Sequence, residues 1–214
     1  MFFIITLQNF WVLTNNCNRT IIKFIKLFCY FKYYIQYKFK LRGESMEKLT
    51  AKELTKISAM AAIVFVLTYT FKIPFADGYT HLGDCAILTG VMVLGRKKGA
   101  TAGSIGAAMA DLIGGYPHWI IPTLIIKFLM ASVMGIIIEK MMPKAKFNYV
   151  LGALAGGVLQ IIGYTSVKIV YYGFNQAMVM TPTLLIQTCA GIVITFIFVS
   201  ILKGSGMIDR VKAM

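Results

Sequence analysis

The chain has 214 residues, of which 58% are hydrophobic and 14% are charged, and its formal net charge is +14. A soluble domain carries about 25% charged residues, whereas the apolar residues here form runs such as 57–71, 120–138 and 183–202, comparable to the roughly 17–25 residues that cross a bilayer. These features exclude a soluble globular domain, and because the cations lie mostly between the apolar runs they indicate membrane topology rather than a nucleic-acid partner.

Residues 1–45 differ from the rest of the chain, since they contain no Ala, no Pro and one Gly. One interpretation is a translated leader before a true start at Met46, because Arg42-Gly43-Glu44 can be encoded by codons that resemble a ribosome-binding site. The other is a membrane-surface segment, because 21–39 mixes lysines with aromatic residues. We therefore divide the chain into an extension, 1–45, and a membrane domain, 46–214.

Hydrophobic periodicity and Gly/Pro punctuation predict six helices in the membrane domain. They lie at about 52–73, 83–95, 99–113, 120–141, 148–172 and 182–202. The second and third are short, which predicts a tight hairpin joined by GRKKG or two partly embedded segments. The predicted fold is an all-α integral membrane protein with six transmembrane helices.

Basic residues flank one set of helix ends. These are Lys48, Lys52, Lys56, Arg96, Lys97, Lys98, Lys140, Lys144, Lys146, Lys203, Arg210 and Lys212, against Lys72 alone in the opposite loops. The positive-inside rule then predicts cytoplasmic termini. It also predicts three external loops, at about 74–82, 114–119 and 173–181, which carry Tyr, His, Trp, Asn and Gln.

Small residues recur every four positions in three helices. The rows Gly99-Gly103-Ala107 and Gly152-Gly156 predict close packing of helix backbones in lipid. Ser58, Ala59 and Ala62 lie near the cytoplasmic end of the first helix. They favour either packing within the bundle or the docking of a partner protein.

Four charges are predicted within about 10 Å of the external helix ends, from a rise of 1.5 Å per residue. They are Asp84, Asp111, Lys127 and Lys168. A charge at helix-centre depth costs about 2.5–3.5 kcal/mol, so these groups are expected to compensate one another. Either they form structural ion pairs, such as Asp111 with Lys127, or they line a polar cavity open to the outside.

The fifth helix favours the cavity, because Gln160, Tyr164 and Lys168 are spaced by four and share one face. Amides, phenols and a lysine beneath aromatic loops suit a small, flat, polar ring. The predicted substrate-binding residues are Tyr79, His81, Asp84, Tyr116, His118, Trp119, Thr123, Lys127, Gln160, Tyr164, Lys168, Asn175 and Gln187. Trp119 and several tyrosines also fit an interfacial aromatic belt.

Motifs for enzyme chemistry are absent from the sequence. It has no Walker A ending, no HExxH and no GxSxG, and His81 and His118 do not make a metal-ligand pair by spacing. We therefore expect no catalysis, no cofactor and no metal, and no ATP site for a solute moved against a gradient.

The segments HLGD (81–84), GATAGSIGAAMADLIGGYP (99–117) and PTLIIK (122–127) resemble the substrate-binding S components of bacterial energy-coupling factor (ECF) vitamin transporters, in the riboflavin-type branch. The similarity extends from about 47 to 203. It implies a subunit of the bacterial cell membrane that captures a vitamin from outside. A separate transmembrane coupling subunit and two ATPases would supply the energy, and the small residues of the first helix would meet the coupling subunit.

Riboflavin is the vitamin that the family label implies, and a pyridoxine or thiamine-precursor type of ring fits the small polar site as well. Two other functions stay open from the residues alone. One is a stand-alone secondary transporter that uses Asp84 or Asp111 as its proton site. The other is a membrane scaffold without a ligand.

Overall fold

The computed structural model describes residues 50–75, 78–145 and 147–213. The predicted extension 1–45 and its alternative start at Met46 lie outside these residues. In the described part, six main helices alternate with short connections, and a short seventh helix follows them. Their bounds are α1 Ala51–Thr70, α2 Gly83–Leu94, α3 Arg96–Ile113, α4 Ile120–Ile136, α5 Asn148–Tyr172, α6 Phe174–Gly204 and α7 Met207–Ala213.

Shorter elements complete the connections. Strands β1 (Lys72–Phe75) and β2 (Gly78–His81) pair antiparallel, with Lys72 opposite His81. A 3₁₀ turn at Pro117–Trp119 precedes α4, and a π-helical turn at Ile137–Met141 follows it.

Four segments of the described chain are long and apolar enough to cross a membrane. They are Ala51–Thr70, Pro117–Met141, Asn148–Tyr172 and Phe174–Gly204. The 12 residues of α2 extend only about 18 Å at 1.5 Å per residue, so α2 is too short for a hydrocarbon core of about 30 Å. The prediction of six transmembrane helices is therefore confirmed in part: the described chain has six main helices, and four of its segments are candidate spans by length and composition.

The predicted tight hairpin of the second and third helices is confirmed, because Gly95 alone separates α2 from α3. Its φ of 80° lies in the left-handed region that suits glycine. The segment GRKKG, however, is not the connector that we predicted. Arg96, Lys97 and Lys98 form the first turn of α3, so this helix begins three residues before the predicted Gly99.

The predicted external loop 173–181 is wrong. Gly173 alone separates α5 from α6, and residues 174–181 are the first two turns of α6. Pro182 therefore lies inside the helix rather than at its start. The Thr181 hydroxyl, just before the proline, donates to the Ala177 carbonyl at 2.8 Å, the local bond of a helical threonine.

The predicted loop 74–82 is also different, because most of it belongs to the β-hairpin, and α1 ends at Thr70 rather than 73. A strand pair satisfies its backbone groups where a loop would leave them to solvent. The fifth helix has the bounds predicted for it, 148–172.

Helix α2 lies at the centre, in contact with α1, α3, α4 and α6, and the bundle closes through α3 on α4, α4 on α5 and α5 on α6. The predicted small-residue packing is confirmed. A Cβ added to Gly99 would lie 2.7 Å from the Gly90 carbonyl oxygen, and one added to Gly156 would lie 2.7 Å from the Met130 carbonyl oxygen. Gly106, on the same helix as Gly99, is equally close to α1, since its added Cβ would lie 2.4 Å from the Ala61 carbonyl oxygen. Only glycine permits backbones this close.

Two ends of the bundle differ in character. At one, which we call the hairpin end, the β-hairpin, the turn Pro117–Trp119 and Gly173 connect the helices. At the other, the basic end, Lys98 forms an ion pair with Glu53, Arg96 Nε lies 3.5 Å from Glu139 Oε2, and Lys56 Nζ donates to the Val211 carbonyl at 2.8 Å. Polar contacts thus join α1, α3, α7 and the π-helical turn that follows α4 there.

Candidate functional site

A buried polar network joins four helices near the hairpin end of the bundle. Lys127 of α4 has no exposed surface and Asp84 of α2 is 2% exposed, and the two form an ion pair. Gln160 of α5 accepts a hydrogen bond from Lys127 Nζ at 2.8 Å through its Oε1 atom. Gln187 of α6 donates to Asp84 Oδ2 at 3.1 Å. A cation, an anion and two amides therefore meet inside the protein.

Gln160 is the centre of this network. Its Nε2 atom donates to Asp84 Oδ2 at 2.8 Å and to Thr188 Oγ1 at 3.0 Å, while its Oε1 atom accepts from Lys127. The Thr188 hydroxyl in turn donates a hydrogen bond to the Leu184 carbonyl at 2.8 Å. Both donors and the acceptor oxygen of the Gln160 amide are thus engaged, which is what a buried amide requires.

The charges of the network balance. Burial of a lone carboxylate or ammonium group is costly unless it has a hydrogen-bonded partner of opposite charge, and here Asp84 faces Lys127. The sequence-based example of an ion pair was Asp111 with Lys127. The structure instead pairs Lys127 with Asp84, because the direction in which each helix turns its side chain decides the partner as much as its depth does.

Glycines bring the helices of the network close together. A Cβ added to Gly191 of α6 would lie 2.8 Å from the Asp84 Cβ, and one added to Gly157 of α5 would lie 2.7 Å from the Thr188 Cγ2. These two glycines therefore let α6 approach α2 and α5, which brings the short side chains of Asp84 and Thr188 within reach of Gln160.

An aromatic cluster lies between the α3–α4 connection and the last turns of α5. Its members are Tyr116, His118, Trp119, Tyr164, Tyr171 and Tyr172. The Trp119 ring centroid lies 5.8 Å from that of Tyr164 and 5.5 Å from that of Tyr171, and the Tyr171 hydroxyl donates to the His118 carbonyl at 3.3 Å. Trp119 is buried whereas His118 is exposed, so the cluster runs from the interior to the surface.

Tyr164 connects the cluster to the polar network. Its ring centroid lies 5.3 Å from Lys127 Nζ, which is a cation–π contact. The same ring also lies beside that of Trp119. Its hydroxyl donates to Thr123 Oγ1 at 3.1 Å. Aromatic faces and fixed polar groups at one place are the usual means of binding a flat polar ring.

The β-hairpin reaches the same region through His81, which is buried. His81 Nδ1 accepts a hydrogen bond from the Gly83 backbone N–H at 3.1 Å, and strand β2 contacts α1 and α6. The backbone of Tyr79 lies in the same strand. The hairpin is thereby attached to the residue that precedes Asp84.

Other predicted site residues lie further out. Lys168 is half-buried, one turn beyond Tyr164 on α5, and Asn175 is exposed in the first turn of α6 rather than in a loop. Sequence reasoning missed Thr188 and Tyr171. The only sequence features that could have indicated them are their positions, since Thr188 follows Gln187 and Tyr171 lies in the last turn of α5.

The residues predicted to meet a partner, Ser58, Ala59 and Ala62, are all exposed on α1. Larger apolar side chains on the same helix, Ile63 and Val66, are each 51% exposed. This part of α1 is an open face of the bundle with small residues in it.

A family model for the S component of ECF-type riboflavin transporters matches residues 48–204. An uncharacterised protein of Pyrococcus woesei, from the gap 3′ region, is 34% identical over 137 residues, which are 63% of this chain and 88% of that protein. The thiamine precursor transporter HmpT of Lactococcus lactis is 26% identical over 167 residues, 77% of this chain and 95% of the relative.

Proposed function

We propose that this chain, which belongs to the family of ECF-type riboflavin transporter S components, is the substrate-specificity subunit of an ATP-driven importer and binds a water-soluble vitamin or vitamin precursor. The family is one of transporter components and not of enzymes. The polar network of Asp84, Lys127, Gln160 and Gln187 would form the floor of the substrate site, and the aromatic cluster would cover it.

The observation that carries this proposal is the position of Tyr164. It contacts both halves of the site, Lys127 of the polar network and Trp119 of the aromatic cluster. A flat ring between Trp119 and the network would have an aromatic face beside it and amide and hydroxyl groups at its edge. That combination supports a vitamin ring rather than an ion or a lipid as the substrate.

Two rings are favoured by the comparisons, riboflavin by the family and a thiamine precursor by the relative HmpT. The smaller ring is the better match to a site in which side chains from three helices lie within hydrogen-bond distance of one carboxylate on a fourth. Pyridoxine, another single ring with polar substituents, is the third candidate.

The membrane orientation belongs to the same proposal. The basic ends of the helices would face the cytoplasm by the positive-inside rule, which leaves the hairpin end and the aromatic cluster outside, where the substrate arrives. The exposed small residues Ser58, Ala59 and Ala62 would dock the transmembrane coupling subunit, and two ATPases would complete the importer in the bacterial cell membrane.

Ligand identification on the purified protein tests this function. Mass spectrometry of co-purified small molecules and titration with riboflavin, pyridoxine and the aminopyrimidine precursor of thiamine should find one tight ligand. Tyr164→Phe should then weaken its binding by about tenfold, or 1.4 kcal/mol, because the hydroxyl that bonds Thr123 is lost. Tyr149→Phe, which loses a phenol hydroxyl near Ser200 Oγ at 3.3 Å, is the matched control and should bind normally.

A stand-alone proton-coupled transporter is the alternative function. Uptake into vesicles that contain only this chain, driven by a proton gradient, would support it and would contradict the importer. Uptake that requires ATP and the coupling subunits would support the importer. Failure of every compound to bind would contradict both transport functions.

A further inference from the structure

Thr68 of α1 lacks a hydrogen bond that several threonines in the described helices make. Five of them donate their hydroxyl to the carbonyl four residues earlier, which is the ordinary local partner in a helix. These are Thr55, Thr101, Thr181, Thr188 and Thr195. The Thr68 hydroxyl, in a side chain only 1% exposed, has no hydrogen-bond partner in the described structure. A buried hydroxyl without a partner is unfavourable, so its direction requires a reason.

The hydroxyl faces Gly83, the first residue of α2. A Cβ added to Gly83 would lie 1.9 Å from Thr68 Oγ1 and 3.0 Å from His81 Nδ1. The Gly83 backbone N–H also donates to His81 Nδ1 at 3.1 Å. Three elements, α1, β2 and α2, therefore meet at one glycine, and Thr68 occupies the space that any larger residue there would need.

The next residue after Gly83 is Asp84, the anion of the polar network. Asp84 receives hydrogen bonds from Lys127, Gln160 and Gln187, so a small displacement of the first turn of α2 alters several contacts together. The helix that presses on this turn is also the one with exposed Ala62. The same helix thus packs on the residue before Asp84 near its C-terminal end and carries exposed Ala62 six residues earlier, about 9 Å away along the helix axis.

We infer that Thr68 is a positioning residue. By packing on Gly83 it holds the first turn of α2 where Asp84 reaches its partners, and it links the position of α1 to the substrate site. The inference rests on the proposed function for its substrate measurements, and it can also be tested without substrate through the unfolding temperature.

The first experiment is a pair of size-complementary substitutions in the full chain. Gly83→Ala should weaken binding of the identified vitamin by at least about tenfold and lower the unfolding temperature by roughly 2–12 °C, because the methyl group overlaps Thr68. Thr68→Ala in the same chain removes Oγ1 and should restore most of both losses. If Gly83→Ala alone does not fold, folding of the double variant carries the same conclusion.

Gly90→Ala is the matched control. Gly90 lies on the same helix and also faces α1, but an added Cβ would meet the end of the flexible Met60 side chain, at 2.9 Å from its Cε. Since that side chain can move aside, affinity should stay close to that of the unaltered protein. Harmless Gly83→Ala, or Gly83→Ala that Thr68→Ala does not rescue, would overturn the inference.

A second experiment separates positioning of Asp84 from general packing. In an Asp84→Asn background, Gly83→Ala should cost less than about threefold in affinity, because the group through which it acts is already altered. An undiminished tenfold loss would overturn the inference and leave Thr68 as packing only. If the unaltered chain binds no vitamin, the proposed function fails. The unfolding temperatures of the unaltered chain, Gly83→Ala, Asp84→Asn and the double variant still decide whether Gly83 and Asp84 are coupled.

Discussion

Replacing Lys127 with Met tests the charge balance of the buried network. Met nearly matches the length and volume of the Lys side chain, so the change removes the charge with little loss of packing. Asp84 keeps the Gln160 and Gln187 amide donors at 2.8 and 3.1 Å but loses the ammonium group with which it forms its ion pair. Removal of one partner of a buried ion pair costs about 3–5 kcal/mol.

For a chain of this size, that cost corresponds to a decrease of roughly 6–20 °C in the unfolding temperature. The assay is thermal unfolding of the purified protein in detergent micelles, with Lys97→Met as the control, because Lys97 is exposed in the first turn of α3. Vitamin affinity of the same variant should fall by at least about tenfold, since the displaced carboxylate and Gln160 belong to the proposed site.

The double variant Lys127→Met/Asp84→Asn decides the cause. It removes both charges and should recover most of the lost stability, because replacement of a whole buried pair is often close to neutral. An unaltered unfolding temperature for Lys127→Met, or a double variant no more stable than the single one, would refute the view that Lys127 neutralises Asp84.

The other predictions concern packing, docking and the aromatic cluster. Gly106→Ala should destabilise the protein by about 1–3 kcal/mol in a denaturation assay, since its Cβ would meet a carbonyl of α1. Gly204→Ala, with open space around it, should be neutral or stabilising in the same assay. Equal effects of the two substitutions would contradict close packing of α3 on α1 at Gly106. Ala62→Leu should reduce ATP-dependent uptake by cells and leave the affinity of the isolated chain unchanged, and a loss of affinity would place Ala62 in a different role. Trp119→Ala should weaken vitamin binding by about tenfold or more while Trp119→Phe retains most of it, as measured by titration, and normal binding by both would assign Trp119 to an interfacial belt.

The sequence predicted the helices wherever the local pattern and the tertiary structure agree. Helix α5 has its predicted bounds because its apolar run ends at Gly173, a left-handed glycine. The predicted start of α6 was wrong because the motif Thr-Pro-Thr occurs both at the start of a helix and, as here, inside one. Ala177 is buried in the folded bundle, so the two turns of α6 before Pro182 pack against the protein as helix. The sequence alone does not reveal this burial.

The candidate site was predictable in part, for a similar reason. Depth along each helix follows from residue spacing, so Asp84 and Lys127 were predicted near one level. Gln160 and Gln187 were predicted in the same site, and the structure brings the four together. Rotation about each helix axis does not follow from spacing alone. This is why Asp84 rather than Asp111 pairs with Lys127, and why Thr68, which has no sequence signal beyond an ordinary helical threonine, was missed.

The two halves of the site make different contributions to binding. Because the Gln160 oxygen and both of its N–H groups already have partners, a substrate that bonds to this amide must replace an existing bond. Such an exchange changes the free energy little, since one hydrogen bond substitutes for another. The aromatic cluster has no such constraint, because burial of ring surface contributes about 25 cal/mol for each Å². Affinity should therefore come mainly from Trp119 and its neighbours, while the network rejects rings whose edges cannot restore the bonds they displace.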